Sequence, residues 1–291
     1  MSTYKLGFIG CGNMGSAIAR SAVHTVEASQ ILLANRTPSK AEALASELGA
    51  DTGTNEDIAD KCSYIFLGVK PQMMEEMLKP LQGIFAERFQ HTKTTGSRTG
   101  SSEKTAGETT ICTEGFVLVT MAAGLSIADI QRMAGGAYPV IRIMPNTPVS
   151  IGKGMTLACA SPEVGEAVIC EFGKLMSASG RLDFIPENLI DAASALSGCG
   201  PAYVCLFIEA LADGAVECGL PRAKALEYAC QTLVGSASLV LESGSHPGAL
   251  KDAVCSPGGT TIAGVHALER GGFRCAAMDA VKAAYDKTRN M

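Results

Sequence analysis

The chain has no basic block. Its 24 lysines and arginines are outnumbered by 29 acidic residues over 291 positions, for a formal net charge of −5. Nucleic acid is therefore not an expected partner. Histidine is scarce, with four in all and none in a local ligand cluster, so no metal site is expected. The 11 cysteines stand at 11, 62, 112, 159, 170, 199, 205, 218, 230, 255 and 275, never in Cys-x-x-Cys spacing. Thiols scattered in this way read as reduced side chains in a cytoplasmic compartment, not as a disulfide framework. Cys11 and Cys255 differ from the rest, because both sit in glycine-rich loops where they are placed for modification. Long hydrophobic runs are also missing. The longest in the C-terminal half, Pro201 to Ile208, stops at Glu209 and Asp213 and is too short to span a bilayer, so no membrane is expected. A strand pattern begins at Lys5, so neither a signal nor a presequence is expected ahead of the fold. What is present is a chain 47% hydrophobic and long enough for about two domains with a sizeable core.

The N-terminus carries the first chemical signal. Lys5-Leu6-Gly7-Phe8-Ile9 reads as a buried strand, Gly10-Cys11-Gly12-Asn13-Met14-Gly15 follows at once, and Ala17-Ile18-Ala19 opens a helical pattern. Strand, Gly-x-Gly-x-x-Gly and helix together form a dinucleotide fingerprint. Gly10 suits the tight turn, Gly12 gives room for a pyrophosphate, and Gly15 lets helix approach strand. The next strand, Ile31 to Ala34, runs into Asn35-Arg36-Thr37, where an NAD-preferring site would place a carboxylate. A guanidinium there pairs with a 2′-phosphate, and Thr37, Ser39 and Lys40 offer further donors. This pattern favours NADPH, with NADH accepted more weakly. The competing reading is that Arg36 and Lys40 are solvated charges at a helix start.

An α/β sheet continues from there. Ser39 to Leu48 and Ile58 to Lys61 read as helical, and Tyr64 to Val69 as a strand ended by Lys70-Pro71. A strand end in a doubly wound sheet faces the ligand crevice, which places Lys70 within reach of the cofactor. Phe116 to Thr120 and Tyr138 to Ile143 are further strands, running into Met121-Ala122-Ala123-Gly124 and Met144-Pro145-Asn146-Thr147-Pro148. Thr156 to Ala160 and Arg181 to Phe184 add two more, flanking a helix from Pro162 to Met176. Between Gln90 and Glu114 the chain turns polar, which reads as a surface loop inserted without a catalytic role.

Strand signals stop at Glu187. A helical stretch around Leu189 to Ala193 is broken by Ser197-Gly198-Cys199-Gly200-Pro201. Helices follow over about Ala202 to Cys218, Arg222 to Glu242, and from Thr261 to the end. The expected organisation is a Rossmann-type doubly wound domain over 1–185 and an all-helical domain over 186–291. The Ala202–Val216 helix is apolar on nearly every face, which a small domain cannot hide alone, so it is expected between subunits.

One loop in the helical half has chemistry of its own. Cys255-Ser256-Pro257-Gly258-Gly259-Thr260-Thr261 leads directly into the pattern from Ile262. Adjacent glycines, hydroxyls and the free N–H groups of a helix start form a pocket for a small anion. Taken alone, the same residues also read as a plain helix cap.

Gly10–Gly15, Gly68-Val69-Lys70-Pro71, Arg142 through Pro148, Leu196 through Tyr203, and Leu250-Lys251-Asp252 through Thr261 together resemble the pyrroline-5-carboxylate reductase family, nearly end to end except for the polar insertion. The resemblance implies a Rossmann domain with a C-terminal dimerisation domain, and homodimers that can assemble into rings such as a decamer. It also implies reduction of Δ1-pyrroline-5-carboxylate to L-proline by NAD(P)H, the last step of proline biosynthesis. By the same token, Ile9, Gly10, Cys11, Gly12, Asn13, Met14, Asn35, Arg36, Thr37, Asn55, Val69, Lys70, Pro71, Met121, Ala122 and Ala123 fall at cofactor-binding positions. Glu187, Ser256, Gly258, Gly259, Thr260 and Thr261 fall at substrate positions, with Thr261 the catalytic candidate that hydrogen-bonds the ring nitrogen. Glu187 and Lys70 each have a purely structural alternative.

Two positions depart from the family's pattern. Ala253 stands where an Asn commonly touches the cofactor, and Cys199 where a Ser is usual. Two other readings remain. Another NADP-linked two-domain reductase would share the first hundred residues, but a β-hydroxyacid dehydrogenase needs a lysine on the interdomain helix and Ala195 to Tyr203 holds none. A non-enzymatic NADPH sensor would not need the Ser256–Thr261 loop.

Overall fold

The computed structural model describes residues 3–96 and 115–289, for 92–96 only as backbone. It divides into two compact units, Met1–Gly198 together with Thr288–Met291, and Cys199–Lys287.

In the first unit, eight strands form one sheet in the order β3-β2-β1-β4-β5-β6-β7-β8. They are β1 (Tyr4–Ile9), β2 (Ile31–Ala34), β3 (Asp51–Thr52), β4 (Cys62–Leu67), β5 (Val117–Thr120), β6 (Val140–Pro145), β7 (Gly154–Ala160) and β8 (Gly180–Phe184). Helices α1 (Asn13–Ala22), α2 (Pro38–Leu48), α3 (Asn55–Lys61), α4 (Met74–Leu78), α5 (Gln82–Gly96), α6 (Ile127–Ala134), α7 (Glu166–Met176) and α8 (Glu187–Ser197) connect or follow them. The central strands are mostly apolar and buried because both faces are covered, as a parallel sheet requires. On one face Leu6, Phe8, Tyr64 and Phe66 pack with Ile18 and Phe172. On the other, Ile9, Ile65 and Leu67 pack with Ile58, Leu78 and Phe85.

Parallel pairing runs from β3 to β6. β7 then lies antiparallel to β6. The connection from Asn146 to Lys153 is too short for the crossover that a parallel neighbour needs. Asn146 shapes it, accepting from the Met155 N–H at 2.9 Å and donating to Ser197 O at 2.9 Å.

Part of the expected surface loop is helix. α5 runs on through residues 90–96, past the point where apolar periodicity ends. Phe85, fully buried against Phe116 and Tyr138, anchors its first turns, and propagation from an anchored helix gains one hydrogen bond per residue. Residues 97–114 lie outside the described residues.

The second unit consists of α9 (Gly200–Glu217), α10 (Arg222–Ser243), α11 (Pro247–Ala253), α12 (Thr260–Arg270) and α13 (Phe273–Arg289). The last predicted helical stretch is thus split at Gly271-Gly272, where Gly272 adopts φ +72°. Phe207 of α9 meets Phe273 of α13 at 5.3 Å between ring centroids, and Tyr203 Oη donates to Ala280 O at 3.2 Å. Its only buried hydrophobic residues are Ala212, Ala225 and Ala229. By length and composition alone, Glu187–Glu217 would suffice to cross a membrane. The stretch is longer than the Pro201–Ile208 run because scattered Gly, Ser and Ala barely lower its hydropathy, but it is divided into α8 and α9 at Gly198-Cys199, and a single apolar stretch of this kind is weak evidence for a membrane.

Candidate functional site

The nucleotide end of the site is built by backbone conformation. Gly10 sits at φ +104°, and a Cβ there would lie 2.7 Å from Gly68 O. Gly15 is packed against Gly10 O with no room for a side chain. Gly12 is different, for a Cβ on it would meet nothing within 4 Å. It is also the N-cap of α1 and supplies no side-chain bond to the helix, so the first N–H groups of α1 remain free for an anion. The donor set and the open face at Gly12 both fit a pyrophosphate.

Beside this turn lies a groove of about 830 Å³. Of the expected cofactor residues, Ile9, Gly10, Gly12, Asn35, Arg36, Thr37, Asn55, Val69 and Lys70 line it. Asn35 also ties the loop together, its Oδ1 accepting from Cys11 N–H at 3.0 Å and its Nδ2 donating to Thr37 O at 3.0 Å. Arg36 reaches the Met73 sulfur at 3.8 Å. Lining residues that the sequence did not single out include Thr54, Met73, Met77 and Pro80, and three carboxylates, Glu42, Glu56 and Glu76. The spacing of Met73 and Met77 after Lys70-Pro71 was the available signal.

The remaining expected cofactor residues lie off this groove. Asn13 and Met14 form the first turn of α1, and Pro71 opens the turn after Lys70. Met121, Ala122 and Ala123 follow the end of β5, where Ala122 N–H donates to Thr120 Oγ1 at 3.3 Å. Cys11 faces inward. Burial pushes its thiol up to about 11, so it is not the modifiable thiol expected from its loop.

Glu187 has well-defined partners. Its Oε1 accepts from the Ile127 N–H at 2.8 Å, at the start of α6, and from Arg142 Nη1 at 3.2 Å. Arg142 Nη2 donates to Asp191 Oδ1 at 3.0 Å, one helical turn further along α8. The sequence places Arg142 in a strand and in a family-like motif but gives it no role, because one arginine in an apolar run does not reveal its partners.

In the second unit the Ser256–Gly259 turn closes with Gly259 N–H on Ser256 O at 3.0 Å, and Gly258 adopts φ +67°. The N-cap of α12 is Gly259, with no side-chain cap bond. Thr260 and Thr261 lie one and two positions inside the helix, so the plain-cap reading does not apply to either hydroxyl. Both threonines are exposed, and the N–H groups of the first turn are free of side-chain partners.

Comparison with known proteins agrees with this geometry. The model for pyrroline-5-carboxylate reductase dimerisation matches residues 187–291, and that for coenzyme F420-dependent NADP oxidoreductases matches 5–89. A pyrroline-5-carboxylate reductase of Pisum sativum is 38% identical over 99% of this chain and 96% of its own length. The chain belongs to the pyrroline-5-carboxylate reductase family. The reductase of Escherichia coli K12 is 36% identical over 99% of this chain and 98% of its own. Among solved structures, the Streptococcus pyogenes reductase superposes with a TM-score of 0.80 at 31% identity, covering 99% of this chain and 98% of that one. The Plasmodium falciparum reductase, solved with NADP bound, gives 0.79 at 29% identity, covering 100% and 98%. The F420-type match ends within α5 and covers only the nucleotide-binding part. The reductase dimerisation match begins at the first residue of α8, Glu187, the residue that joins α8 to β6 and α6.

Proposed function

We propose that this protein reduces Δ1-pyrroline-5-carboxylate to L-proline with NADPH, the last step of proline biosynthesis. The observation that carries the reading is relatedness over 99% of the chain, 36–38% to named reductases, in a protein that has both the Gly10–Gly15 turn and the Ser256–Thr261 loop.

The bound cofactor supplies a hydride to the imine carbon. The protein's own groups do the rest by binding and orientation. The N–H groups at the start of α1 hold the pyrophosphate, and Arg36, Thr37 and Lys40 favour the 2′-phosphate of NADPH over NADH. Ser256 and the N–H groups of Gly258, Gly259 and Thr260 anchor the substrate carboxylate. Thr261 hydrogen-bonds the ring nitrogen. An alcohol is a weak acid, so this hydroxyl positions the nitrogen and relays a proton that water supplies. Loss of a contact at Ala253 weakens cofactor affinity and removes no reacting group.

The functional unit is a homodimer, with rings such as a decamer as a further level of assembly. Support comes from the helical unit, whose α9 and α10 leave Leu206, Tyr228, Val234, Leu239 and Leu241 exposed in a single chain. The same surface accounts for the apolar character of Glu187–Glu217 without a membrane. A reducing, cytoplasmic compartment suits the free thiols.

The test is NADPH oxidation measured with pyrroline-5-carboxylate added and omitted. Substrate-dependent oxidation with proline as product is expected. Tight NADPH binding without turnover would instead mark a sensor.

A further inference from the structure

Arg142 is the most deeply buried charged group beside the expected cofactor path, and nothing in the proposed reaction uses it. Its side chain is 6% exposed, whereas the two carboxylates that hold it, Glu187 and Asp191, are 35% and 37% exposed. Its Nε has no protein acceptor, so the fork of the guanidinium on those two carboxylates is what fixes it. Arg142 stands beside Thr120, the last residue of β5.

From Thr120 the chain leaves the sheet and reaches α6 through residues 121–126. That loop is held at both ends. At its start Ala122 N–H bonds Thr120 Oγ1. At its end Ser126 and Asp129 form a capping box, and the Glu187 carboxylate takes the N–H of Ile127. Glu187 is itself aimed by Arg142. Strand order shows which part of a dinucleotide lies here. The Arg36 end of the groove is at β2, the pyrophosphate turn is at β1, and the cofactor's other half must run over β4 and β5.

We propose that Arg142 is a positioning residue. Acting through Glu187 on the Ile127 N–H, it fixes the 121–126 loop against the nicotinamide half of the cofactor. The inference rests on the cofactor reading above. It also gives Glu187 a role that needs no contact with substrate.

The test compares Glu187→Ala, Glu187→Gln, Arg142→Lys and the double variant Glu187→Ala/Arg142→Lys. Lysine keeps the charge and loses the fork, and glutamine keeps an oxygen for the Ile127 N–H. Glu187→Ala and Arg142→Lys should each lower kcat about 10–100-fold, the scale of a misplaced reacting group. Both should change the emission of bound dihydronicotinamide. Affinity for 2′,5′-ADP, which contains only the phosphorylated adenosine half, should stay within about twofold. Glu187→Gln should recover most of the loss, and the double variant should be no worse than the poorer single, since both act on one linkage. In the cofactor-free protein, Ile127 amide exchange should quicken in Glu187→Ala.

Unchanged kcat and emission in Glu187→Ala would overturn the proposal. So would a Glu187→Gln protein as impaired as Glu187→Ala, which would point to a charge acting on the substrate. Parallel loss of 2′,5′-ADP binding would reduce the network to general stability and overturn it as well. If the wild-type protein binds NADPH yet leaves pyrroline-5-carboxylate unreduced, the functional reading falls, while emission and amide exchange still decide the positioning.

Discussion

The two units bury different things. Met1–Gly198 encloses Phe8, Phe66, Phe85, Phe172 and Tyr64 almost completely, with Phe8 and Phe66 stacked at 4.6 Å. Cys199–Lys287 is no poorer in apolar side chains but buries only three alanines, leaving Leu206, Leu241 and Met278 about 70% exposed. A large apolar side chain left in water forgoes roughly 1.5–3 kcal/mol. A sheet covered on both faces can satisfy itself within one chain. Helices that are apolar on several sides cannot, and their exposed faces suit the oligomerisation suggested by the match to the pyrroline-5-carboxylate reductase dimerisation model.

Breaking that surface should have the largest effect. Leu206→Asp and Leu241→Asp place charges on exposed apolar faces of α9 and α10. Each should cost about 2–4 kcal/mol of association, the range for a central interface residue. Light scattering should show monomers and turnover should collapse, while the nucleotide-binding unit still binds 2′,5′-ADP. A stable, fully active monomer would refute the obligate dimer.

The next effect concerns the substrate loop. Because Gly259 caps α12, Thr261→Ala should leave melting and NADPH affinity near normal. Turnover should nevertheless fall about 10–1000-fold, the range for one transition-state hydrogen bond. Thr261→Ser should restore much of it. Full activity in Thr261→Ala would leave proton handling to water alone.

These regions also differ in how far the sequence reveals them. β1, β2 and the glycine turn were legible because buried parallel strands are largely apolar runs, Gly10 and Gly15 each meet a steric demand of the fold, and Gly12 completes the Gly-x-Gly-x-x-Gly spacing. The antiparallel β7 was not, since direction depends on the length and path of the Asn146–Lys153 connection and not on strand composition. The seven-residue α11, begun by Pro247 and capped by His246, was too short to show a period. The cap of α12 stayed open because Thr260 and Thr261 have the chemistry of caps, and only backbone geometry shows that Gly259 takes the position. Glu187 stood out through the resemblance, but Arg142 and Ile127 are 45 and 60 residues away. Such pairings are set by tertiary packing.

Two glycines separate folding from binding within the first unit. Gly15→Ala pushes a Cβ into Gly10 O, and such overpacking should cost about 1–3 kcal/mol and lower the melting temperature. Gly12→Ala meets open space, so melting should barely change while NADPH affinity falls about tenfold, roughly 1.4 kcal/mol. Calorimetry and cofactor titration distinguish the two, and equal melting losses would remove the distinction. On the other side of the groove, Arg36→Asp should weaken NADPH by about 1–3 kcal/mol and spare NADH. Unchanged Michaelis constants for both cofactors would remove the basis of the NADPH preference.

The smallest effect is a matter of thiol chemistry, and it reads the same contrast without mutating the site. In the first unit Cys11, Cys62 and Cys159 are buried, and loss of hydration raises their thiols to about 11, 12 and 11. A thiol whose folded value lies above its unfolded value stays protonated through neutral pH, and its stabilising contribution is lost only as pH climbs past the ordinary thiol range of about 8.5 toward the raised value. At pH 8 these three should resist iodoacetamide until the fold opens. In the second unit Cys199, Cys205, Cys218, Cys230 and Cys275 are all exposed in a single chain. Those on the faces that pair should be slow to label in the dimer and fast in Leu206→Asp, as mass spectrometry of the alkylated peptides would show. Equal labelling of the second-unit thiols in both proteins would mean that the exposed helical faces carry no partner, whereas early labelling of Cys11 would mean that the nucleotide turn opens on its own.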